Sequence, residues 1–273
     1  MLKSLSPDQA SELAGRAFTL FGPLLSRYRR ADANLGRVFP EMSATERKRT
    51  LKAMCHNLGR VFGELPHMEA IINDPERITV EGLDEVREVL GDRKAALLLS
   101  AHYGNWEVSV AAGRRVGLKQ ANIYRPVKND AVDRIIAKQR EPVASAALIA
   151  KGQDTMKEIV RHLRRGIAVG MMVDQRERRG ILAPFLGFDA WTLHAPALIS
   201  QRLGVPVILG VAHRTEGTRF VVKCKVIPAT TSGDRAADAL LMTQAINEQL
   251  SIWIREHPDQ WSWFHDRWAG APT

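Results

Sequence analysis

From residue 95 onwards, short apolar runs alternate with longer stretches of helical periodicity. Residues 120–124 predict one strand, and the runs 95–100, 144–150, 167–173 and 205–212 are nearly continuous in apolar residues. Strands covered on both faces have this pattern. Residues 219–227 alternate instead, as a more exposed strand does, and 78–81 predicts a short strand ahead of a helix over 83–90. Helical spacing fills 106–116, 130–139, 154–165 and 192–203, with Val132, Ile135 and Ile136 inside the second. The longest predicted helix covers 235–256, with Ala239, Met242, Ile246, Leu250 and Trp253 on one stripe. Strands alternating with helices predict an α/β fold with a parallel-rich central sheet flanked by helices.

The N-terminal part reads as helix alone. Residues 7–30 predict one helix or two. Residues 43–64 predict another, with Ser43 or Thr45 as N-cap and Leu51, Met54, Leu58, Val61 and Phe62 at helical spacing. We therefore expect a helical cap over 1–75 and an α/β domain over 76–273, together one compact unit without repeats or a linker. Within 13–25, Phe18, Leu20, Phe21, Leu24 and Leu25 are apolar, Arg16 interrupts them, and Gly22-Pro23 bends the chain. Arg27, Arg29 and Arg30 follow. Two readings stand: an in-plane anchor on anionic lipid, or a helix packed on the core. No apolar run is long enough to predict a transmembrane helix, and nothing has the architecture of a signal peptide.

Of 273 residues, 45% are hydrophobic and 25% charged, a composition that can fill a sizeable core. The net charge of +9 favours an anionic partner, the alternative being a generally basic surface with no single partner. Nucleic acid, an anionic membrane, a phosphorylated lipid and an acidic carrier protein all qualify, and charge alone does not choose among them. Cys55 and Cys224 are far apart and fit no metal or redox spacing. They read as reduced, buried thiols, which suits the cytoplasm.

The segment Ser100-Ala101-His102-Tyr103-Gly104-Asn105-Trp106-Glu107 carries the candidate chemistry. It joins an apolar strand to a helix, the kind of turn at which open α/β sheets bind ligands. His102 near a carboxylate, Glu107, has the makings of a general base with its orienting partner, able to deprotonate an alcohol so that it attacks an acyl group. The two do not share a face of a regular helix, so the pairing requires His102 in the turn and Glu107 on the helix's first turn. Gly104 lets backbone approach closely; Asn105 either caps the helix or donates to an oxyanion.

His102, four intervening residues and Glu107 resemble the histidine-acid box of glycerolipid-type acyltransferases. The spelling HYGNWE is most similar to the bacterial lipid A late acyltransferases, the lauroyl/myristoyl family. Further segments fit in the same order: Asn34-Leu35 with Phe39-Pro40-Glu41; Tyr124-Arg125-Pro126 with Asn129, Asp133 and Arg140; Asp174-Gln175; Pro184-Phe185-Leu186-Gly187; and the closing run from Gln260 to Trp268. The resemblance spans roughly residues 30 to 268.

The resemblance implies a glycerolipid-acyltransferase-like sheet and a peripheral enzyme on the cytoplasmic face of the inner membrane. Its reaction would move a fatty acyl group from acyl carrier protein, or coenzyme A, to a hydroxyl of a lipid A precursor. His102 would act as base and Glu107 would hold its tautomer. Arg125, Asn129, Arg140, Asp174, Gln175 and Arg176 would bind substrate, with Arg140 gripping a phosphate. Expected partners are acyl carrier protein, a phosphorylated glycolipid and an anionic membrane surface; no nucleic acid, metal or organic cofactor is expected. Structural alternatives stand beside these: an ion pair between Arg140 and Asp174, another between Arg125 and Asp133, and a solvated loop at 176–179. Residues 184–188 with Trp191 read either as an apolar wall over the acyl chain or as core. His194 and His265 read as structural or polar contacts. Other possible readings are a lysophospholipid or other glycolipid acceptor, or a non-catalytic lipid- or nucleic-acid-binding protein. There is no Gly-x-Ser-x-Gly elbow, Walker A loop, Gly-x-Gly-x-x-Gly or zinc spacing.

Overall fold

The computed structural model describes residues 2–141 and 143–272, and of Val132 the backbone only. Four helices come first: α1 (Pro7–Phe21), α2 (Tyr28–Val38), α3 (Ala44–Glu64) and α4 (Met68–Asn73). Ser6 and Ser43 start α1 and α3, each with a capping box; the Ser43 hydroxyl accepts from the Glu46 amide at 3.2 Å, and Glu46 accepts from the Ser43 amide at 2.7 Å. Helix α1 lies close on α3 because Gly59 and Gly63 leave no side chain between them. A Cβ at either would stand 2.4 Å from a carbonyl of α1, Ala14 or Ala10.

The sheet elements follow: β1 (Ile78–Glu81), α5 (Leu83–Leu90), β2 (Leu97–Ser100), a 3₁₀ turn (Trp106–Ser109), α6 (Val110–Arg115), β3 (Gln120–Tyr124), α7 (Asp130–Arg140), β4 (Ala147–Ala150), α8 (Thr155–Arg164) and β5 (Ala168–Met172). A hairpin of β6 (Ile181–Phe185) and β7 (Phe188–Thr192) leads to α9 (Ala195–Leu203), β8 (Val207–Arg214), β9 (Phe220–Ile227) and α10 (Arg235–Glu256). The main sheet runs β1-β9-β8-β2-β5-β3-β4. It is parallel except where β9 lies antiparallel to β8. This is the α/β architecture with a parallel-rich centre and an N-terminal helical segment that the hydrophobic pattern predicts.

Alternate residues of the central strands feed two cores. Leu97, Leu99, Val169, Met171 and Leu209 face α2, α3, α10 and the C-terminal tryptophans, while Ala96, Ala168 and Ile208 face α4, α5 and α6. At the carboxyl ends of β2 and β5 the chain departs in opposite directions, to β3 across β5 and to β8 across β2. Such a divergence opens a crevice in an α/β sheet. No helix among the described residues is long and apolar enough to cross a membrane.

Three expectations change, and one open alternative is decided. The helix expected over 106–116 is a 3₁₀ turn followed by the short α6, because Asn105 caps the turn and the backbone enters it directly from a bridge to β8. Helix α9 starts at Ala195 because residues up to Thr192 belong to β7. Ile135 lies outside, 62% exposed, while Ile136 is half-buried, so α7 buries only part of the face expected of it; Val132, expected beside them, lies outside the described side chains. The β6–β7 hairpin, read from sequence as an apolar wall or as core, pairs only within itself and buries Ala183, Phe185, Leu186 and Ala190 in the core. Its turn puts both Leu186 and Gly187 at positive φ (54° and 92°), as a two-residue hairpin of the right twist requires. Ser251 and Arg255 of α10 hold that strained Leu186 by its amide and carbonyl, each at 2.9 Å.

Candidate active site

Two strand ends place the central pair. Ser100 of β2 and Met172 of β5 are register partners, and His102 and Asp174 each lie two residues beyond. Neighbouring strands are about 4.8 Å apart, so side chains leaving together meet. The His102 imidazole Nδ1 stands 2.9 Å from Asp174 Oδ1, and the His102 backbone amide donates to Oδ2 at 3.0 Å. Trp261 Nε1 donates to the same Oδ2 at 2.9 Å. With Nδ1–H given to Asp174, the ring presents the lone pair of Nε2.

Asp174 is fully buried. Burial alone would raise its pKa, but the adjoining His102 outweighs it and holds the carboxyl well below the usual range. Burial likewise opposes a charged His102, and Asp174 more than offsets that, leaving the imidazole pKa above its ordinary 6.5. His265 is the contrast: burial pushes it down to about 4 against the pull of Asp174, with Arg27 and Arg125 adding to the depression. Its ring lies 5.1 Å from that of His102, as does the indole of Trp106. The Gln175 amide nitrogen stands between the two imidazoles, 3.5 Å from His102 Nε2 and 3.4 Å from His265 Nε2. These distances are long for hydrogen bonds and mark a polar space in front of the base.

Glu107 does not hold the tautomer of His102 as expected. Its Oε1 accepts from Arg140 Nε at 2.9 Å and from Trp106 Nε1 at 3.1 Å, with Arg140 Nη2 on the same oxygen. The reason is geometric: His102 precedes the 3₁₀ turn, so Glu107 leaves the backbone in another direction, and the vacant role falls to the neighbouring strand's Asp174. The alternative Arg140–Asp174 ion pair is replaced by Arg140–Glu107. Among the described residues Arg125 and Asp133 form no ion pair; Asp133 accepts from the Val127 amide at 2.9 Å.

The turn carrying His102 is fixed from below. Gly104 sits at φ +54°, and a Cβ there would stand 1.8 Å from the Ala212 carbonyl. Its amide donates to the Gln260 carbonyl at 2.8 Å and the Ser262 amide to the His102 carbonyl at 3.0 Å, binding the C-terminal segment to the turn. Asn105, fully buried, accepts from the Glu107 amide at 3.1 Å and donates to Glu64 at 2.6 Å. It is therefore a cap and a strut, and its amide is turned away from any oxyanion. Glu64 in turn accepts from Arg214 at 2.6 and 3.0 Å, and Arg214 also donates to Asn57 Oδ1 at 2.9 Å. Glu64, Arg214 and Asn57 escaped the sequence reading. A lone carboxylate ending the apolar face of α3 was the available signal, since such a group needs a buried partner.

A cavity of about 1250 Å³ opens beside His102. Leu98, Val110, Ile208 and Met171 line its interior, while Arg125, Arg140, Lys151, Arg176, Arg178 and Arg179 give its walls a basic character. Thus Arg125, Arg140, Gln175 and Arg176 join His102 and Glu107 around one space, and Asp174 stands behind. Arg176 also donates to the Ala269 carbonyl at 2.9 Å. Asn129 is not among the residues that line this cavity; its Oδ1 accepts from the Ala131 amide at 3.0 Å at the start of α7. Among the described residues no group of three or more His, Cys, Asp or Glu is arranged to hold a metal ion. Burial keeps Cys55 and Cys224 protonated, at about 11 and about 12.

A carboxylate-oriented imidazole beside a deep, apolar and basic-walled cavity is suited to an α/β enzyme that transfers acyl groups. The chain belongs to the bacterial lipid A biosynthesis acyltransferase family, whose profile matches residues 1–269. It is similar to lipid A biosynthesis acyltransferase 2 of Shigella flexneri, 22% identical over 244 residues, which are 86% of this chain and 75% of that relative. The protein is an acyltransferase.

Proposed function

We propose that the enzyme moves a fatty acyl group from acyl carrier protein to a hydroxyl of a lipid A precursor, with His102 as general base. The observation that carries this reading is the His102–Asp174 pair beside the cavity. In the reaction, the acceptor hydroxyl gives its proton to His102 Nε2 as its oxygen attacks the thioester carbonyl. The C–S bond then breaks, and the proton passes from His102 to the departing thiolate. Asp174 orients the ring and stabilises the transient imidazolium. The apolar interior suits the acyl chain. Arg125, Arg176, Arg178 and Arg179 suit the phosphates of a glycolipid or the acidic surface of a carrier protein.

In this reading the enzyme sits peripherally on the cytoplasmic face of the inner membrane. Helix α1 packs on α3 through the small residues Ala10, Ser11 and Gly15, which leaves Leu20, Phe21 and Leu24 outside at 70%, 60% and 80% exposure. Bulky apolar side chains held in water next to the exposed Arg27, Arg29 and Arg30 suit an anionic bilayer. Arg27 is near enough to His265 to influence it, so this surface adjoins the site.

The test is mass spectrometry of purified protein with acyl carrier protein thioesters and a tetra-acylated lipid A precursor, beside His102→Ala. A gain of one acyl group, lost in the variant, is expected. Transfer only to a lysophospholipid would overturn the acceptor, and transfer by coenzyme A thioesters alone would overturn the donor.

A further inference from the structure

The face of the sheet beneath the 3₁₀ turn and α6 carries a row of register partners: Asn122 on β3, Gly170 on β5, Leu98 on β2 and Ile208 on β8. All four line the cavity that opens at His102, as do Gly113 of α6 and Gln120 of β3. Among these apolar neighbours sits an amide pair. Gln120, 5% exposed, donates through Nε2 to Asn122 Oδ1 at 2.7 Å. Its own Oε1 is buried and has no hydrogen-bond partner among the described residues.

Two glycines make room for this pair. A Cβ at Gly170 would stand 2.2 Å from Asn122 Oδ1 and 3.2 Å from Gln120 Nε2, and one at Gly113 would stand 2.8 Å from Gln120 Oε1. The space left by the absent side chains is filled by amides where an apolar side chain would pack as well. An orphaned buried carbonyl is uncommon and unfavourable, so its presence at the edge of an apolar cavity calls for a role beyond packing.

We infer that the Gln120–Asn122 pair, seated between Gly113 and Gly170, is the stop that sets the length of acyl chain the enzyme accepts. The inference rests on the reading that this cavity holds the acyl group. Methylenes laid against Leu98, Val110 and Ile208 gain burial. Methylenes pushed further would have to displace the amides, which already fill the space between Gly113 and Gly170. The chain's terminal methyl therefore stops short of Gln120, and each further carbon is refused. Gln120 and Asn122 act on selectivity and take no part in the proton transfer at His102.

The experiment measures binding of saturated free fatty acids of graded length, by displacement of a fluorescent fatty acid. Wild type is compared with Gln120→Ala, which removes the stop, and Gly113→Ala, which crowds it. The expected result is a shift of the preferred length upwards in the first variant and downwards in the second. The change should be roughly tenfold or more in relative affinity at the boundary length. Thermal melts confirm that both variants fold, and either one alone, moving in its expected direction, sustains the assignment. An unchanged length profile in folded variants overturns it. The same series offered as carrier-protein thioesters together with the lipid A precursor separates the two claims: a shifted binding profile with no transfer to that precursor keeps the length stop and removes the proposed donor and acceptor.

Discussion

Glu107 faces Arg140, with the guanidinium Nε 2.9 Å from the carboxylate, and both side chains are largely withdrawn from solvent beside the cavity. The pair fixes a cation near His102 without touching the imidazole ring's nitrogens. Arg140→Ala is expected to raise KM for the phosphorylated acceptor by roughly 10- to 100-fold while the fold is kept, since a charged hydrogen-bonding group contributes about 1.5–3 kcal/mol. Glu107→Gln, which leaves the neutral amide to face Arg140, is expected to act in the same direction. Steady-state kinetics at varied acceptor concentration check both; a loss confined to kcat would contradict a positioning role.

The His102 turn rests on the buried pair Glu64–Arg214, whose side chains are 0% and 6% exposed. Removing one partner of such a pair leaves an uncompensated charge in the interior. Arg214→Met is expected to lower stability by about 3–5 kcal/mol, read as a fall in Tm by calorimetry. The double substitution Glu64→Gln with Arg214→Met is expected to recover part of that loss, because no isolated charge remains.

Charge reversal at Arg27 and Arg30 is expected to weaken association with anionic vesicles by about 1 kcal/mol per basic residue removed. Leu20→Ser with Leu24→Ser is expected to weaken it independently of salt. Vesicle co-sedimentation at two ionic strengths checks this; equal binding by all proteins would exclude this face as the membrane contact.

The repeating part of the fold was readable from the chain because apolar runs report burial directly. The bounds of β1, β3, α5 and α10 agree with the pattern, since each is bounded by polar or turn residues. The site was readable only residue by residue. The chain points to His102, Arg140, Asp174 and Gln175 one by one, but spacing along it pairs His102 with Glu107, whereas proximity comes from the register of β2 on β5. Trp261, which shares Asp174, stands 87 positions away from it, and no local pattern encodes such a contact. The β6–β7 hairpin was lost for a related reason: Pro184 in a run otherwise suited to a strand argues for an edge, and only the closed pairing with β7 shows where that edge lies.

The central relationship, Asp174 on His102, has a pH signature. A base must be neutral to work, and Asp174 raises the pKa of His102 above 6.5. Acyl transfer is therefore expected to rise with pH through a midpoint above that value. The same pairing stabilises the fold at low pH on the histidine side, an effect lost as pH rises through the raised pKa. On the aspartate side it stabilises above the carboxyl's ordinary 3.8 and is lost as pH falls through the depressed pKa. The most direct measurement is the pH dependence of kcat/KM for acyl transfer by wild type and Asp174→Asn. The variant is expected to lose on the order of 10³- to 10⁴-fold in rate and to move the midpoint to lower pH, while Glu107→Gln moves it less. A midpoint unmoved in Asp174→Asn, or moved further by Glu107→Gln, would contradict the assignment of Asp174 as the partner of the base.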